Sequence, residues 1–432
     1  MSKTITGRIS LFTAALITAL SVFCGCKTET PSYEQYKDTR QLYIGAWNAP
    51  PVQNTTAQDY RDIADSGLNF IIDINSGAIE NKLKFSEQAG IKFMMNGTFL
   101  SDYSGISAYY DHPAFMGIIG MDEPSTSLFE GLAKKQENYY ASYPESLYFV
   151  NMLPCYATND QLGVSKEEAA DANSNPYSLY VKKFNEIIDP KVLVYDGYSL
   201  LVSSTGSTNI DSGMLFNLEA VALEGQKSNK PYWAFLQTMG FGGGHRNVTE
   251  EDVRFQYYTY LAYGYTGLLH FCYWTPGGAE FPDSVYAMIE RDGTKTPAYY
   301  GVKAVNEEIL AFDHVLLSFN WTGTMTVLGK DEIMCNAFSR LSSPLASHSA
   351  IKSVSATENA VIGTFNDGRY DGFVLVNFTD PSWEKSNIVE MEFSKSDKIL
   401  VYKHGVPEVV KLNKHKYTAA LRPGEGRFII PL

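Results

Sequence analysis

The feature that most constrains this chain is a repeated alternation between two kinds of sequence. From residue 41 onward, short apolar runs rich in β-branched and aromatic residues are separated by longer amphipathic stretches. Eight runs can be counted, at residues 42–47, 68–74, 91–96, 116–121, 147–153, 192–195, 232–237 and 267–274. Helical patterns occupy residues 56–66, 80–89, 127–142, 179–188, 214–227, 250–263 and 297–312. Alternation of this kind is typical of βα units, and eight units predict a closed (β/α)₈ TIM barrel over residues 41–316.

The sequence changes character after residue 317. Runs at residues 360–365, 372–378, 399–402 and 427–431 are β-branched or alternate apolar with polar residues, and turn sequences separate them. No strong helical pattern intervenes. Because short strands joined by turns favour antiparallel sheets, residues 317–432 are predicted to form a separate C-terminal β-sandwich domain.

The first 26 residues have the pattern of an export signal. A positively charged start precedes a short apolar run at residues 9–23, which is too short for a good membrane-spanning helix. The run leads into Gly25-Cys26, which resembles a bacterial lipobox, so Cys26 is the predicted lipidated residue and Cys24 a competing site. Ordinary secretion is the alternative.

A lipidated cysteine would anchor the protein in the cell envelope without a membrane span. We expect the bacterial outer membrane, with the protein facing either the periplasm or the cell surface. Residues 27–40 are polar and are predicted to be a tether between the anchor and the barrel.

Charge and cysteine content narrow the possible functions. Charged residues make up 19% of the chain and the formal net charge is −13, which argues against nucleic acid as a partner and fits a neutral substrate. Outside the signal region the cysteines are Cys155, Cys272 and Cys335, which lie far apart and lack metal-ligand spacing. The sequence has no phosphate-binding loop, dinucleotide fingerprint or nucleophile elbow. We therefore predict no metal and no cofactor.

The strand ends carry the candidate chemistry, because active sites of such barrels lie at the C-terminal ends of the strands. The fourth predicted strand runs into Asp122-Glu123-Pro124, and the sixth ends at Asp196. Adjacent carboxylates in a partly apolar mouth repel each other and lose solvation, which raises a carboxyl pKa toward the value that a general acid needs. Glu123 is the predicted catalytic acid, and Asp122 and Asp196 are further catalytic candidates. A solvated turn at Asp122-Glu123 and a loop Asp at 196 are the structural alternatives.

Other strand ends carry residues suited to holding a substrate. They are Trp47, Asn151, Tyr198, Gln237, Tyr273 and Trp274. An amide can bond hydroxyl groups, and the aromatic content of 13% is enough for platforms on which sugar rings stack, although core packing is the alternative for each residue. Glu219 and Glu224 fall within a helical pattern and are predicted to lie on the surface.

The order of these features resembles bacterial (β/α)₈-barrel glycoside hydrolases, most closely the β-galactosidase-like members of clan A, over nearly the whole chain after the signal region. The resemblance implies an enzyme that cleaves an oligo- or polysaccharide by carboxylate acid/base catalysis, with Glu123 as the acid. The family has Asn-Glu at this position, whereas this chain has Asp122-Glu123. The family's nucleophile, a Glu ending the seventh strand, is replaced by Gln237.

The Asp-Glu pair on the fourth strand also resembles hexosaminidase-type families. In those the Glu is the acid and the neighbouring Asp steadies a substrate acetamido group that acts as nucleophile, with residues such as Tyr195, Asp196 and Trp274 around the pocket. Three chemistries therefore stay open: Asp196 as nucleophile, Asp196 as base for a water, and substrate assistance through Asp122. A non-catalytic carbohydrate-binding lipoprotein on a decayed barrel is an alternative of a different class.

Overall fold

Eight parallel strands close into a barrel in the computed structural model, which describes residues 30–75, 77–98, 100 and 102–432. The strands are β1 (Tyr43–Trp47), β2 (Phe70–Ile72), β3 (Lys92–Asn96), β4 (Phe115–Asp122), β5 (Leu147–Met152), β6 (Leu193–Asp196), β9 (Tyr232–Gln237) and β10 (Gly267–Phe271). Neighbours in the chain are neighbours around the barrel, and β10 closes it by pairing with β1. The predicted (β/α)₈ barrel is confirmed.

Helices run between the strands and pack around the barrel. They are α1 (Ala57–Asp65), α2 (Ile79–Ala89), α3 (Phe129–Ser142), α4 (Asn159–Leu162), α5 (Lys166–Asp171), α6 (Pro176–Ile188), α7 (Met214–Ser228), α8 (Glu250–Leu261), α9 (Pro297–Leu310), α10 (Asp313–Leu316) and α11 (Asn336–Ser339). The ends of these helices are set by capping residues. Thr56 and Asp59 form a capping box at the start of α1, and Gly90 ends α2 in the left-handed conformation that glycine adopts without strain.

The inside of the barrel is filled with apolar side chains from alternate strand positions. Those buried there include Phe70, Ile72, Met94, Ile119, Phe149, Val194, Trp233, Phe235 and Leu269. The residues between them point outward and pack against the helices, as Ile71, Val150 and Tyr195 do. The barrel is therefore a packed core, and a substrate can meet only its mouth.

A short hairpin interrupts the βα order after β6. Strands β7 (Leu200–Val202) and β8 (Thr208–Ile210) pair antiparallel, and Leu201 also bridges to His245 in the loop after β9. The sequence pattern did not indicate this hairpin, because each of its strands has only three residues. It lies over the C-terminal end of β9.

Two antiparallel sheets follow the barrel. Their strands are β11 (Asn320–Val327), β12 (Ile351–Ala356), β13 (Ala360–Asn366), β14 (Asp371–Asn377), β15 (Asn387–Phe393), β16 (Lys398–Lys403), β17 (Val406–Lys411), β18 (Lys416–Leu421) and β19 (Gly426–Pro431). Six strands form one sheet in the order β11-β13-β14-β19-β16-β17, and β12, β15 and β18 form the other. A shared apolar cluster that includes Ile362, Phe373, Val389 and Met391 lies between the sheets, so the predicted β-sandwich is confirmed.

The sandwich and the barrel pack as one compact unit, Ser32–Leu432. The outer face of the six-stranded sheet contributes Phe365, Val376 and Phe428 to the same apolar cluster as the barrel helices. The two parts therefore share a core, while the domain boundary at residue 317 stays a prediction. Part of the predicted tether also packs here, since the Tyr33 hydroxyl donates to Asp367 at 2.7 Å.

One helix position departs from expectation. Glu219 on α7 was expected at the surface, yet it is buried, and its carboxylate accepts the backbone N–H of Ser342 and of Ser343. The prediction was wrong because the segment after α11 covers this face of α7. The sequence of a helix does not by itself show which face is exposed, because a later segment of the chain can pack on that helix.

The predicted signal region, including Cys26, lies outside the described residues. Within the ranges that the structure describes, no helix is long and apolar enough to cross a membrane.

Candidate active site

Three carboxyl groups and one amide meet at the C-terminal mouth of the barrel. Asp122 ends β4 and pairs in register with Asn151 on β5, whose neighbour β6 ends at Asp196. The Asn151 amide donates to Asp122 Oδ1 at 3.0 Å and also lies against Asp196. Glu123 follows directly, so the structure brings together all three predicted catalytic residues.

A β-bulge in β4 orients this cluster toward the mouth of the barrel. Ile119 points into the barrel core, and regular alternation would place Met121 there as well. The pairing with β5 instead shifts at Gly120, which has no partner residue, and Met121 packs outward against the helices. Asp122 is thereby turned toward the mouth.

Glu123 adopts a backbone conformation that is costly for a non-glycine residue. Its φ is +47°, in the left-handed region, and Pro124 follows it. Its N–H donates to Asn151 O at 2.9 Å, which holds the turn against β5. Strain of this kind costs about 1–3 kcal/mol and is found where a side chain must be held in one place for function.

The environment disfavours ionisation of all three carboxyl groups. Asp122 and Glu123 are open to solvent, yet the surrounding walls of the mouth weaken their solvation. This desolvation, followed by the charge of Asp122, raises the pKa of Glu123, and desolvation also raises the pKa of Asp122. Burial and then the charges of Glu123 and Asp122 raise the pKa of Asp196 well above its ordinary value.

Glu123 and Asp196 lie near each other, since burial and then the charge of Glu123 raise the pKa of Asp196. Two neighbouring carboxyl groups repel each other when both are ionised, which favours a pair that holds one proton. Two buried acceptor atoms beside them, Asn151 Oδ1 and Asp196 Oδ1, have no donor. A buried carboxylate oxygen without a donor disfavours the charged form, which is consistent with a proton on the pair.

Tyr156 is a site residue that the sequence analysis missed. It lies in the loop after β5 and exposes 52% of its surface, while burial of its hydroxyl and then the charge of Asp196 raise the pKa of the phenol. An exposed ring fixed at the edge of the carboxyl cluster can stack on a sugar. Only its position just after a strand end could have indicated it.

Aromatic side chains form the opposite wall of the mouth. Tyr198 contacts Phe241 edge-on at 5.1 Å and Phe271 at 5.0 Å between ring centroids, and Phe241 stacks on His245 at 4.0 Å. Trp47 is partly exposed and packs with the same group. The predicted residues Trp47 and Tyr198 therefore belong to the mouth, joined by Phe241 and Phe271, which the sequence did not single out.

Gln237 does not reach the mouth. Its side chain is fully buried beneath the β7–β8 hairpin, where Oε1 accepts from Leu200 N–H at 3.0 Å. Its Nε2 donates to Leu200 O at 3.1 Å and to Arg246 O at 2.8 Å. Every hydrogen-bonding group of this amide is bonded to backbone atoms. The prediction that Gln237 binds substrate is therefore wrong, and its side chain connects two loops instead.

The two residues after β10 are also placed differently from expectation. Tyr273 is buried, and its hydroxyl lies near Asp62, Tyr60 and Tyr299, on the helix side of the sheet and away from the mouth. Trp274 is 5% exposed and pairs with Ile289 in the following loop. Both were predicted to bind substrate, and both pack in the core instead. The eighth strand of the barrel ends at Phe271, and the pattern of apolar residues does not show that it ends there.

The carboxyl cluster lies in an open mouth, and a separate cavity lies elsewhere on the barrel. A cavity of about 500 Å³ lies at the other end, between the barrel and the sandwich, lined by residues such as Tyr232, Tyr265 and Trp321. It contains no cluster of acids. In the described ranges no group of three or more His, Cys, Asp or Glu residues is arranged to hold a metal ion.

Comparison with known proteins adds evidence on the fold. No family model and no curated protein matches the sequence. Among solved structures, a family 39 glycoside hydrolase from the gut symbiont Bacteroides cellulosilyticus WH2 is 10% identical, with a TM-score of 0.51 over 92% of this chain and 82% of that one. An α-amylase from Anoxybacillus is 10% identical, with a TM-score of 0.40 over 92% of this chain and 98% of that one. An endo-1,4-β-D-mannanase from Thermotoga petrophila RKU-1 is 10% identical, with a TM-score of 0.40 over 61% of this chain and 99% of that one. The first similarity supports the barrel followed by a β-sandwich as the fold of this chain.

Proposed function

We propose that this chain is a glycoside hydrolase that cleaves an oligo- or polysaccharide by carboxylate acid/base catalysis. The observation that carries the proposal is the cluster of Asp122, Glu123 and Asp196 on neighbouring strands at the C-terminal mouth of the barrel. Glycoside hydrolysis needs a pair of carboxyl groups beside the scissile bond, one of them protonated. The solved structure with the similar fold is itself described as a glycoside hydrolase.

Glu123 is assigned as the proton donor. It is open to solvent, follows the strained turn after β4, and has a raised pKa that keeps a proton available. In the reaction its carboxyl proton passes to the glycosidic oxygen as the bond from that oxygen to the anomeric carbon breaks. The electron pair of that bond leaves with the departing alcohol.

Asp196 is assigned as the partner carboxylate. It lies near Glu123, whose charge acts on it after burial to raise its pKa. A retaining pair stands about 5–5.5 Å apart, and an inverting pair about 6.5–9.5 Å apart to leave room for a water. The closeness of the two carboxyl groups supports Asp196 as the group that bonds to the anomeric carbon over Asp196 as a base for water. The pair shares one proton in the free protein, and in this step that proton stands on Glu123 while Asp196 is ionised. As the proton passes to the leaving oxygen, the Asp196 carboxylate bonds to the anomeric carbon and Glu123 becomes a carboxylate. Glu123 then takes a proton from the water that hydrolyses the glycosyl ester.

Substrate assistance is a second candidate mechanism, and it has an observation of its own. Asp122 is held toward the mouth by the bulge and by the Asn151 amide, beside the proposed acid. A carboxylate in that position can orient a substrate acetamido group whose oxygen attacks the anomeric carbon. The closed position of Gln237 fits either mechanism, since neither uses the end of β9.

A non-catalytic binding protein explains the site less well. A binding surface needs the aromatic wall but has no use for a strained Glu123 or for three carboxyl groups that repel each other. Both features cost stability, and costly local features persist where a function needs them.

Two substitutions separate the mechanisms once a screen of aryl glycosides and natural glycans has supplied a substrate. With Asp196 as nucleophile, Asp196→Asn should lower kcat/KM about 10³-fold or more for both good and poor leaving groups, and Asp122→Asn should do less damage. Under substrate assistance Asp122→Asn should be the worse lesion, and only substrates with an acetamido group should react. Asp331→Asn, on the exposed surface of the sandwich, is the control. Wild-type rates for both site variants would contradict the proposal.

We also propose that the protein is exported and lipid-anchored through Cys26, in the outer membrane of a bacterium. The support is the apolar run that leads into Gly25-Cys26. Cys26→Ala should move the protein from the membrane fraction to soluble or unprocessed fractions, with Cys155→Ala as the control. Unchanged membrane association of the Cys26 variant would redirect attention to Cys24.

A further inference from the structure

An exposed tryptophan of the sandwich lies against the barrel hairpin. Trp383, in the short helical turn Pro381–Trp383, exposes 50% of its surface. Its indole N–H donates to Thr208 O in β8 at 3.3 Å, and the hydroxyl groups of Thr208 and Ser382 lie 2.6 Å apart. The indole edge is thus held by the barrel while a large part of the ring meets solvent.

The loop that carries Trp383 is fastened firmly to the barrel. Ser382 N–H donates to Asp380 Oδ1 at 3.0 Å, and the same carboxylate is paired with Arg246 at 2.7 Å. Arg246 is also paired with Asp252 on α8. A ring held in this way loses little conformational freedom when a ligand stacks on it, which favours binding.

The surface beside the ring is rich in hydroxyl groups. The turn at residues 203–207 between β7 and β8 has the sequence Ser-Ser-Thr-Gly-Ser and is exposed. It carries no charge, and its hydroxyls can donate to and accept from sugar hydroxyls. Lys385 lies 5.9 Å from the ring centroid and is paired with Glu358. A single ring among hydroxyls differs from the contiguous apolar patch that marks a protein partner.

The β7–β8 hairpin links this surface to the mouth of the barrel. Leu200 in β7 is bonded to Gln237, and Leu201 bridges to His245, whose ring stacks on Phe241 of the aromatic wall. Following the chain from Asp196 through β7 and across to Thr208 puts Trp383 within about 30 Å of the carboxyl cluster. An extended glycan of several sugars can reach from one to the other.

We propose that Trp383, Ser382, Thr208 and the turn at residues 203–207 form a second carbohydrate-binding surface, the seam surface. Its ligand is a neutral glycan chain, and it holds a distant part of the polymer whose bond is cleaved at the carboxyl cluster. The proposal rests on the proposed function for the identity of the ligand. It makes the sandwich part of substrate binding, so that the enzyme acts on polymers better than on short glycosides.

The test is affinity electrophoresis of the purified protein in native gels that contain galactomannan, arabinogalactan, xyloglucan or laminarin. In a gel that retards the wild type, Trp383→Ala should lower the affinity for the polymer, measured from the retardation, about 3- to 10-fold, because a stacking ring is lost. Trp383→Phe should retain part of the effect. Tyr300→Ala removes an equally exposed ring (59%) on α9 and is the matched control. Hydrolysis of a short aryl glycoside by Trp383→Ala should stay at the wild-type rate.

The outcomes separate this proposal from the proposed function. In a Glu123→Gln background, retardation that still depends on Trp383 supports the seam surface whether or not hydrolysis is found. Equal retardation of wild type and Trp383→Ala overturns the seam surface even if the enzyme is active. Absence of retardation of the wild type in all four polymers also overturns it.

Discussion

Gln237 occupies the position where the clan A resemblance expects a nucleophilic Glu, and the structure explains why a Glu is not tolerated there. Its Nε2 donates to two backbone oxygens, those of Leu200 and Arg246, in a buried site. A carboxylate would face both carbonyl oxygens without a hydrogen to share. Gln237 has a structural role. If Asp196 or a group of the substrate acts as the nucleophile, the absence of a Glu at this position does not indicate a decayed enzyme.

Gln237→Glu should therefore lower the free energy of unfolding by about 3–5 kcal/mol, because it buries an unpaired charge and breaks two hydrogen bonds. Urea unfolding of the purified protein measures this. Gln161→Glu is the control, since Gln161 is an exposed capping residue of α4 where a Glu serves equally well. Unchanged stability of Gln237→Glu together with higher activity would show that the end of β9 is open to substrate.

Asp196 gives a prediction for stability against pH. Its pKa is raised in the folded protein, so the folded state keeps a proton that the unfolded chain releases above the ordinary Asp pKa near 4. The protein therefore loses stability as pH rises from that value toward the raised pKa. Asp196→Asn removes the loss, so the Tm difference, variant minus wild type, should increase between pH 4 and pH 8. A difference that is constant or falls with pH would contradict the protonated pair.

The positions of single residues could be predicted where they depend only on the rule that active sites of these barrels lie at the C-terminal ends of the strands. Asp122, Glu123 and Asp196 end strands, and the structure brings them together. Gln237 and Tyr273 also end or follow strands, but loops and helices from elsewhere in the chain decide whether such a side chain is open. Tyr156 lies in a loop, where neither periodicity nor strand ends give a signal.

The bulge in β4 is the element on which the site depends. Gly120 faces the ring of Tyr148 on β5, and a Cβ added there would lie 2.3 Å from the ring atom Cε1. Gly120→Ala should therefore push β4 from β5 and move Asp122 and Glu123. We expect at least a 10²-fold loss of kcat/KM and a lower free energy of unfolding, by about 1–3 kcal/mol.

The control for this variant is Gly131→Ala in α3, where an added Cβ meets no atom. It should leave activity unchanged and raise stability by about 0.5–1 kcal/mol, because Ala is the better helix former. Full activity of Gly120→Ala would show that the bulge does not position the carboxyl groups.

At this scale the sequence was informative about regular elements and silent about irregular ones. Buried parallel strands are continuous apolar runs, so all eight could be located. Neither the bulge nor the three-residue strands β7 and β8 leave a periodic trace. The outer strands of the sandwich, such as Asn387–Phe393, carry charges on their exposed face, and their pattern is weaker.

The barrel and the sandwich share one apolar cluster and the buried ion pairs of Arg246 with Asp252 and Asp380. A shared core predicts that the two parts unfold together. Differential scanning calorimetry should show a single transition, and Arg246→Met should lower its Tm while keeping it single, since two buried carboxylates lose their partner. Two separate transitions in the wild type would contradict this account and support an independent sandwich domain.

The function of the whole molecule depends on one proton held by Glu123. Glu123→Gln keeps the shape of the side chain and removes the proton, with Glu137→Gln on the exposed face of α3 as the control. The most direct measurement is kcat/KM of these variants on two glycosides of the same sugar, one with a poor and one with a very acidic leaving group. The account predicts a loss of about 10²–10⁴-fold for Glu123→Gln on the poor leaving group and a much smaller loss on the acidic one, whose departure barely needs a proton. Near wild-type rates on the poor leaving group, or equal losses on both substrates, would contradict the assignment of Glu123 as the acid.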